Sequence, residues 1–361
     1  PVVVALTRFP LSVRLILLHR RKLLFASTAA VFWLGWSSAY TNLLILSEHR
    51  LHTNRKRMAK PHPFFLLLGL LLLCLPLKAT PAFTPRHATI YQDLLKLRVN
   101  RARTLLSSQD QAKQLKPQEL LLANYADFLE ICVQQDQRRY NSLIDAQENR
   151  LVQLETLPQD AWQSYALAEV RMQLAMCKLL FGNRLSAAWD LRKAYLQYSA
   201  NSKSYPDFLP NKKNLGLLQV LIGSVPDQYK WFLNIIGLKG SIRQGMHHLK
   251  QATAGENPFQ QEAQLLYAVT LHLTEPEKKD IAIRQVQALA RAQQDNLLFQ
   301  FAAMHLLKKT QASEKALQAY LNRPKSGSYL SFPYLHHMAA DLYLYKAEYD
   351  KSIQANRLFL A

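Results

Sequence analysis

The sequence of 361 residues is poor in glycine, with 10, and holds 3 cysteines. So few cysteines exclude a disulfide-framed miniprotein. So few glycines exclude collagen and argue against a β-propeller, because both need many residues free of a Cβ. The motifs of common catalysis are missing as well: there is no G-x-S-x-G, no H-E-x-x-H, no phosphate-cradling glycine loop, no C-x-x-C and no calcium loop. No enzyme activity and no cofactor are expected on these grounds. Alternating strand patterns are absent too, while hydrophobic residues make up 49% of the chain, which excludes a wholly disordered polymer. The expected class is all-α, in one elongated or two compact domains.

Charge is unevenly placed. Of the formal net charge of +20, half lies within residues 1–82, so the excess over the remaining chain is moderate. No nucleic-acid partner is expected.

Glutamine marks a boundary, with none before residue 83 and 29 after it. Residues 58–82 run from a basic start around Met58 and Lys60 through an uncharged stretch, 64–77, to Lys78-Ala79-Thr80-Pro81-Ala82. This is the pattern of a secretory signal peptide, with cleavage after Ala79 or Ala82. The apolar stretch is shorter than the ~20 residues of a bilayer span. Cys74 lacks the small residue that precedes a lipidated cysteine and is ordinary content of that stretch. Residues 1–57 contain no methionine and have two readings: upstream read-through, or an N-terminal membrane segment. For the second, residues 23–47 form an uncharged run with Trp33 and Trp36, flanked by Arg20-Arg21-Lys22 and Glu48-His49-Arg50. The expected location is the periplasm or envelope, with a membrane tether if residues 23–47 span or the signal stays uncleaved.

Beyond residue 83 the apolar residues recur at helical spacing. Ile90, Leu94, Leu97 and Leu105 define one face, Leu121, Tyr125, Phe128 and Cys132 the next, and Leu167, Val170, Leu174, Cys177 and Phe181 a third. Breaks fall at Lys116-Pro117, Leu157-Pro158, Gly182-Asn183, Tyr205-Pro206, Gly255 to Pro258, Glu275-Pro276 and Arg323 to Gly327. Short connections imply antiparallel neighbours. The division is an N-terminal helical region, 83–155; a helix pair, 156–205; a Gly-rich helical insert, 206–256; and further helix pairs, 257–361.

The pairs repeat. Ala268, Ala303 and Ala340 sit in successive first helices and Ala282, Ala316 and Ser352 in the second ones, at intervals of 34 to 37 residues. An earlier pair carries Ala175, then Ala187 and Ala194, and the last reads Ala340-x2-Tyr343 followed by Ala347 to Ile353 with Tyr349. A small residue at a crossing lets an aromatic side chain from the partner helix sit beside it. This pattern resembles the tetratricopeptide-repeat (TPR) superfamily in an exported form. The resemblance implies an α-solenoid of antiparallel helix pairs, with Ala175, Ala187, Ala194, Ala268, Ala282, Ala303, Ala316, Ala340, Tyr343 and Tyr349 as packing positions. About four units fit within residues 160–361, and most lack the family's Trp, Gly and Pro.

The insert holds half of the glycines: Gly216, Gly223, Gly237, Gly240 and Gly245. From Leu215 through Ser224-Val225-Pro226 to Trp231 and Gly237-Leu238-Lys239-Gly240, it is similar to the mid-region of the tetratricopeptide repeat protein 39 and mitochondrial outer-membrane inclusion-clearance family. Leu238 stands where that family has an aromatic. The resemblance spans residues 208–252 and implies a helical-repeat body with a dedicated insert. At the other end, Leu358 to Ala361 lies within an apolar helix face, so further repeats are expected beyond it.

Remaining candidates have plain readings beside them. His247-His248 and His336-His337 lack a ligand one turn away, so no metal is expected. Cys132 and Cys177 either pair in an oxidising compartment or serve as small buried hydrophobes. Gly237 to Gly240 reads as an inter-helix turn, since no strand precedes it. Arg86, Lys96, Arg98, Arg101 and Arg103, and again Lys212, Lys213, Lys230, Lys239, Arg243 and Lys250, form basic clusters that suit solvated faces or anionic headgroups. Trp162, Trp189 and Trp231 serve either as core or as sugar-stacking platforms. The expected role is a protein-interaction scaffold of the envelope with a protein partner there; the alternative is a membrane-associated or glycan-binding helical protein.

Overall fold

The computed structural model describes residues 83–108, 116–255, 257–310 and 312–360. Segment 1–57 and the signal sequence 58–82, with Ala79 and Ala82, lie outside the described residues. Among the described residues there are fifteen α-helices, one 3₁₀ turn and no strand, so the chain is all-α. In order these are α1 (Pro85–Leu95), α2 (Val99–Ser107), α3 (Pro117–Gln134), α4 (Gln137–Glu155), α5 (Ala161–Leu180), α6 (Arg184–Ser204), α7 (Leu209–Gly223) and α8 (Asp227–Ile235). There follow α9 (Ile242–Ala252), α10 (Gln260–Thr274), the 3₁₀ turn Pro276–Lys278, α11 (Lys279–Ala292), α12 (Leu297–Lys309), α13 (Ser313–Leu321), α14 (Pro333–Tyr345) and α15 (Tyr349–Leu360).

Helix starts are set by local chemistry. Thr84 caps α1, accepting from the His87 amide while the His87 ring accepts from the Thr84 amide, and Pro85 follows at the first position. Asp136, Asp160 and Asn296 each accept from the backbone amide three residues on, which satisfies a donor that the first helical turn leaves free. The chain leaves α5 through Gly182 at φ 87°, a left-handed conformation that a Cβ disfavours.

Most helices pack on a chain neighbour, while α3 packs mainly on α5 and α7 mainly on α9; α1, α3, α5 and α7 also touch in succession. Helix α5 is buried on nearly every face, as its run of apolar residues requires, and is covered by α3, α4, α6 and α7. Contacts distant in sequence join the two ends of this body: α14 touches α3, and the Leu330 amide donates to the Leu97 carbonyl at 2.8 Å. No described helix is long and apolar enough to cross a membrane.

The first basic cluster does not form one continuous stripe. It spans two helices, because Leu97 at φ 64° breaks the chain between α1 and α2. Each of its cations meets a carboxylate: Lys96 and Arg98 meet Asp295, Arg101 meets Asp93, Arg103 meets Asp127 and Glu130, and Arg86 meets Glu119. Each charge is thus paired within the chain, with Arg101 at an exposed position.

Candidate functional site

The strongest concentration of chemistry in the described residues is a sealed ionic cluster where α1, α3, α5, α6, α7 and α10 converge. Glu169 on α5 and Glu262 on α10 face Lys213 on α7. The lysine is fully buried, and both glutamates are nearly so. Lys213 Nζ lies 2.8 Å from Glu262 Oε1, 3.6 Å from Glu169 Oε1 and 2.9 Å from the Tyr125 hydroxyl, to which it donates. Two carboxyl groups therefore share one ammonium, and neutral donors supply the rest. Tyr91 donates to Glu262 at 2.5 Å, Tyr125 to Glu169 at 2.8 Å and Tyr198 to Glu169 at 2.6 Å. The Asn214 amide also donates to Glu169. Burial, and then the adjacent carboxylates, push the Tyr91, Tyr125 and Tyr198 hydroxyls well above the usual phenol range, so they remain donors.

Aromatic rings roof this cluster. Phe259, fully buried, stands 4.8 Å from Tyr91 and 5.5 Å from Phe83, ring centre to ring centre, and Lys213 Nζ lies 5.3 Å above its ring. Trp162 stacks on Phe83 at 5.3 Å and is 6% exposed, so it is core and not a sugar platform. The Tyr165 hydroxyl nearby is buried without a hydrogen-bond partner. On the far side the cluster continues through Gln173, which donates to Glu169, to Asn124 and Gln147. Beyond these, Arg150 and Arg103 bind Asp127, and Arg103 and Arg139 bind Glu130.

A lysine, two carboxylates and four tyrosines hold the groups of acid–base catalysis, but here they are closed off by Phe259, Trp162 and their own partners. Two surface concavities lie elsewhere: one beside Arg139, Ser142 and Phe359, the other beside Arg243, Gln244 and His247. The contacts of this set run from helix to helix. They tie six helices together in one register, since any slip leaves a charge unpaired.

The packing positions read from the repeat are distributed as follows. Ala175, Ala187, Ala194, Ala268, Ala282, Ala303, Ala316 and Ala340 are all at most 4% exposed, and Tyr343 is 8% exposed. They fall on helices that touch pairwise: α5 with α6, α10 with α11, α12 with α13, and α14 with α15. At the last crossing the Ser352 hydroxyl donates to the Ala340 carbonyl at 2.8 Å. Tyr349 departs from this set, at 62% exposure on the solvent side of α15. Lys213 departs from the second basic cluster, because it lies inside the ionic core. His248 meets Gln219 and His336 meets Tyr320, and among the described residues no three metal-ligating side chains come together.

Sequence reasoning missed Glu169, Glu262, Tyr91 and Tyr198, and misplaced Lys213. A signal for them exists: Glu169 sits within Ala166-Leu167-Ala168-Glu169-Val170, and Lys213 and Glu262 each stand one turn before a leucine of the apolar stripe, Leu217 and Leu266. Charges of opposite sign on otherwise apolar helix faces mark buried pairs. Compared with known proteins, the chain matches no family model and no curated protein.

Proposed function

We propose that this chain is a non-enzymatic interaction scaffold of the cell envelope, an α-solenoid of TPR-like helix pairs that is exported through residues 58–82. The observation that carries the scaffold reading is an exposed apolar strip on α6 and α8. Leu185 is 70% exposed, Trp189 49%, Trp231 62% and Ile235 73%. Leu185, Trp189 and Arg192 recur at helical spacing on one side of α6, and Arg192 donates to the Ile236 carbonyl, which brings the end of α8 alongside. Large apolar side chains gathered in this way mark a surface that a partner covers, with tryptophan the commonest anchor. The contact succession α1, α3, α5, α7 supports the repeat reading.

The second reading, a membrane-associated or glycan-binding protein, is favoured by the same two tryptophans together with the exposed Lys193 and Lys239 nearby. A photo-crosslinking residue at position 189 or 235, with position 314 as control, separates the two readings. Discrete protein adducts at 189 and 235 but not at 314 support the scaffold. Adducts to lipid alone, with flotation on anionic vesicles that Trp189→Ala and Trp231→Ala abolish, support the membrane reading. No adduct above the control counts against both.

A further inference from the structure

Cys132 on α3 and Cys177 on α5 occupy matched positions on touching helices. Tyr125 and Glu169, hydrogen-bonded across the same pair of helices, fix the register. Two turns further along both helices come Cys132 and Cys177. Cys132 packs against the small apolar cluster that holds Cys177, and Gln147 on α4 donates to the Cys177 sulfur at 3.7 Å. Phe128, Ile131 and Met176 pack around them. Cys177 is buried and Cys132 is partly open to solvent. A half-buried cysteine packed beside an enclosed one is an arrangement that thiol–disulfide exchange can use.

We propose that Cys132 and Cys177 are a resolving dithiol that closes into a disulfide tying α3 to α5 when the protein meets a low-molecular-weight disulfide such as oxidised glutathione. The Cys132 thiolate attacks one sulfur of the oxidant; a mixed disulfide forms and the other half leaves as a thiolate. Cys177 then attacks the Cys132 sulfur, the bond between the two cysteines forms, and the second half leaves. The two protons of the cysteines pass to the departing thiolates, so the pair is oxidised by two electrons and the oxidant becomes two thiols. The neighbouring thiol and then burial hold the Cys132 thiol well above the usual range, so the first step is slow at neutral pH and quickens as pH rises. The loop that the bond closes contains all of α4, so oxidation restricts the unfolded chain around three helices.

The test uses the full chain, freed of reductant under native conditions and incubated with oxidised glutathione at mildly alkaline pH. Under the proposal, the Cys132 and Cys177 thiols become unavailable to alkylation together, the chain loses the mass of two hydrogen atoms, and peptide mapping recovers a Cys132–Cys177 cross-link. The midpoint of denaturation rises and falls back when dithiothreitol is added. Three results would overturn it: both thiols still alkylated after prolonged incubation, a stable glutathione adduct on Cys132 with Cys177 still reactive, or a cross-link from either cysteine to Cys74. Cys177→Ser risks misfolding because its site is closed. Cys132→Ser is therefore the decisive variant, and the same oxidation-linked rise of its midpoint would also sink the idea.

Discussion

Gly216 and Gly245 face each other where α7 crosses α9, with no side chain between the two backbones. A Cβ at Gly245 would lie 2.5 Å from the Gly216 carbonyl oxygen and 2.7 Å from the Val220 amide nitrogen. A Cβ at Gly216 would lie 2.7 Å from the Gly245 carbonyl oxygen. Backbone cannot yield as a side chain does, so the two helices must move apart to admit a methyl group. The Gly-rich insert thus contains a close helix crossing, and Gly216 and Gly245 are there for approach, whereas Gly237 at φ 68° serves a turn.

Gly245→Ala is therefore expected to destabilise the protein by about 1–3 kcal/mol through overpacking. Gly327→Ala, whose Cβ would meet nothing within 4 Å, should change stability by less than about 0.5 kcal/mol. Urea denaturation of the two variants reads the contrast. Equal midpoints would show that the crossing is looser than the distances imply.

The ionic core makes an asymmetric prediction. Lys213→Met leaves Glu169 and Glu262 facing each other without their cation and should cost about 3–5 kcal/mol, the penalty for breaking a buried pair from one side. Replacing Glu262 by Gln as well removes one of the stranded carboxylates, so the double variant should be more stable than Lys213→Met alone. A double-mutant cycle on denaturation free energies measures this coupling. Additive losses would mean that the lysine and glutamate do not interact in the folded protein.

How legible these features were follows from what the sequence can carry. Helix spans and their breaks could be read because period and turn chemistry are local: Pro117, Gly182 and Asn183 act on their own neighbours. The small residues Ala268, Ala303 and Ala340 could be read because they recur. The break between α1 and α2 could not, since Leu97 is neither Gly nor Pro. Its left-handed backbone closes α1 through local bonds from the Leu97 and Arg98 amides to the Leu94 and Asp93 carbonyls, and the distant Leu330 amide adds a bond to the Leu97 carbonyl. Lys213 looked like surface charge for a different reason. Its partners on α5 and α10 lie 44 and 49 residues away, and only the fold brings them to it.

His305 sets a pH dependence. Burial first, and then the charges of Lys309, Lys308 and His272, lower its pKa from the ordinary 6.5 to about 3. The unfolded chain thus takes up a proton below pH 6.5 that the folded chain refuses. Stability from this group is complete above pH 6.5 and is lost progressively as pH falls toward 3. The loss by pH 5 is about 2 kcal/mol. Denaturation of the parent and of His305→Gln between pH 7 and pH 5 isolates the effect from that of the carboxylates, and the variant should show the shallower decline. Parallel pH profiles would place His305 in a solvated site.

The joint between the two ends of the described body rests on Asp295 in the turn after α11. It accepts from Lys96 Nζ at 2.7 Å and Arg98 Nη2 at 3.1 Å, while the Tyr329 hydroxyl donates to its carbonyl at 2.9 Å. Partial burial opposes ionisation of this carboxyl, but the Lys96 hydrogen bond and the two cations outweigh it and hold the group below the usual carboxylate range. Its contribution is therefore present above that range and lost as pH falls through the folded-state value. The side chain is 43% exposed, so solvent screens the pairs and Asp295→Asn should cost no more than about 1 kcal/mol. Arg98→Met should cost more, because Arg98 also donates to Tyr329 at 2.6 Å and is less exposed. Added salt separates the two contributions: it should narrow the gap between parent and Asp295→Asn, whereas the hydrogen bond from Arg98 to the neutral Tyr329 should persist. If salt removes the whole effect of Arg98→Met, the joint is purely ionic and the Tyr329 contact contributes nothing to it.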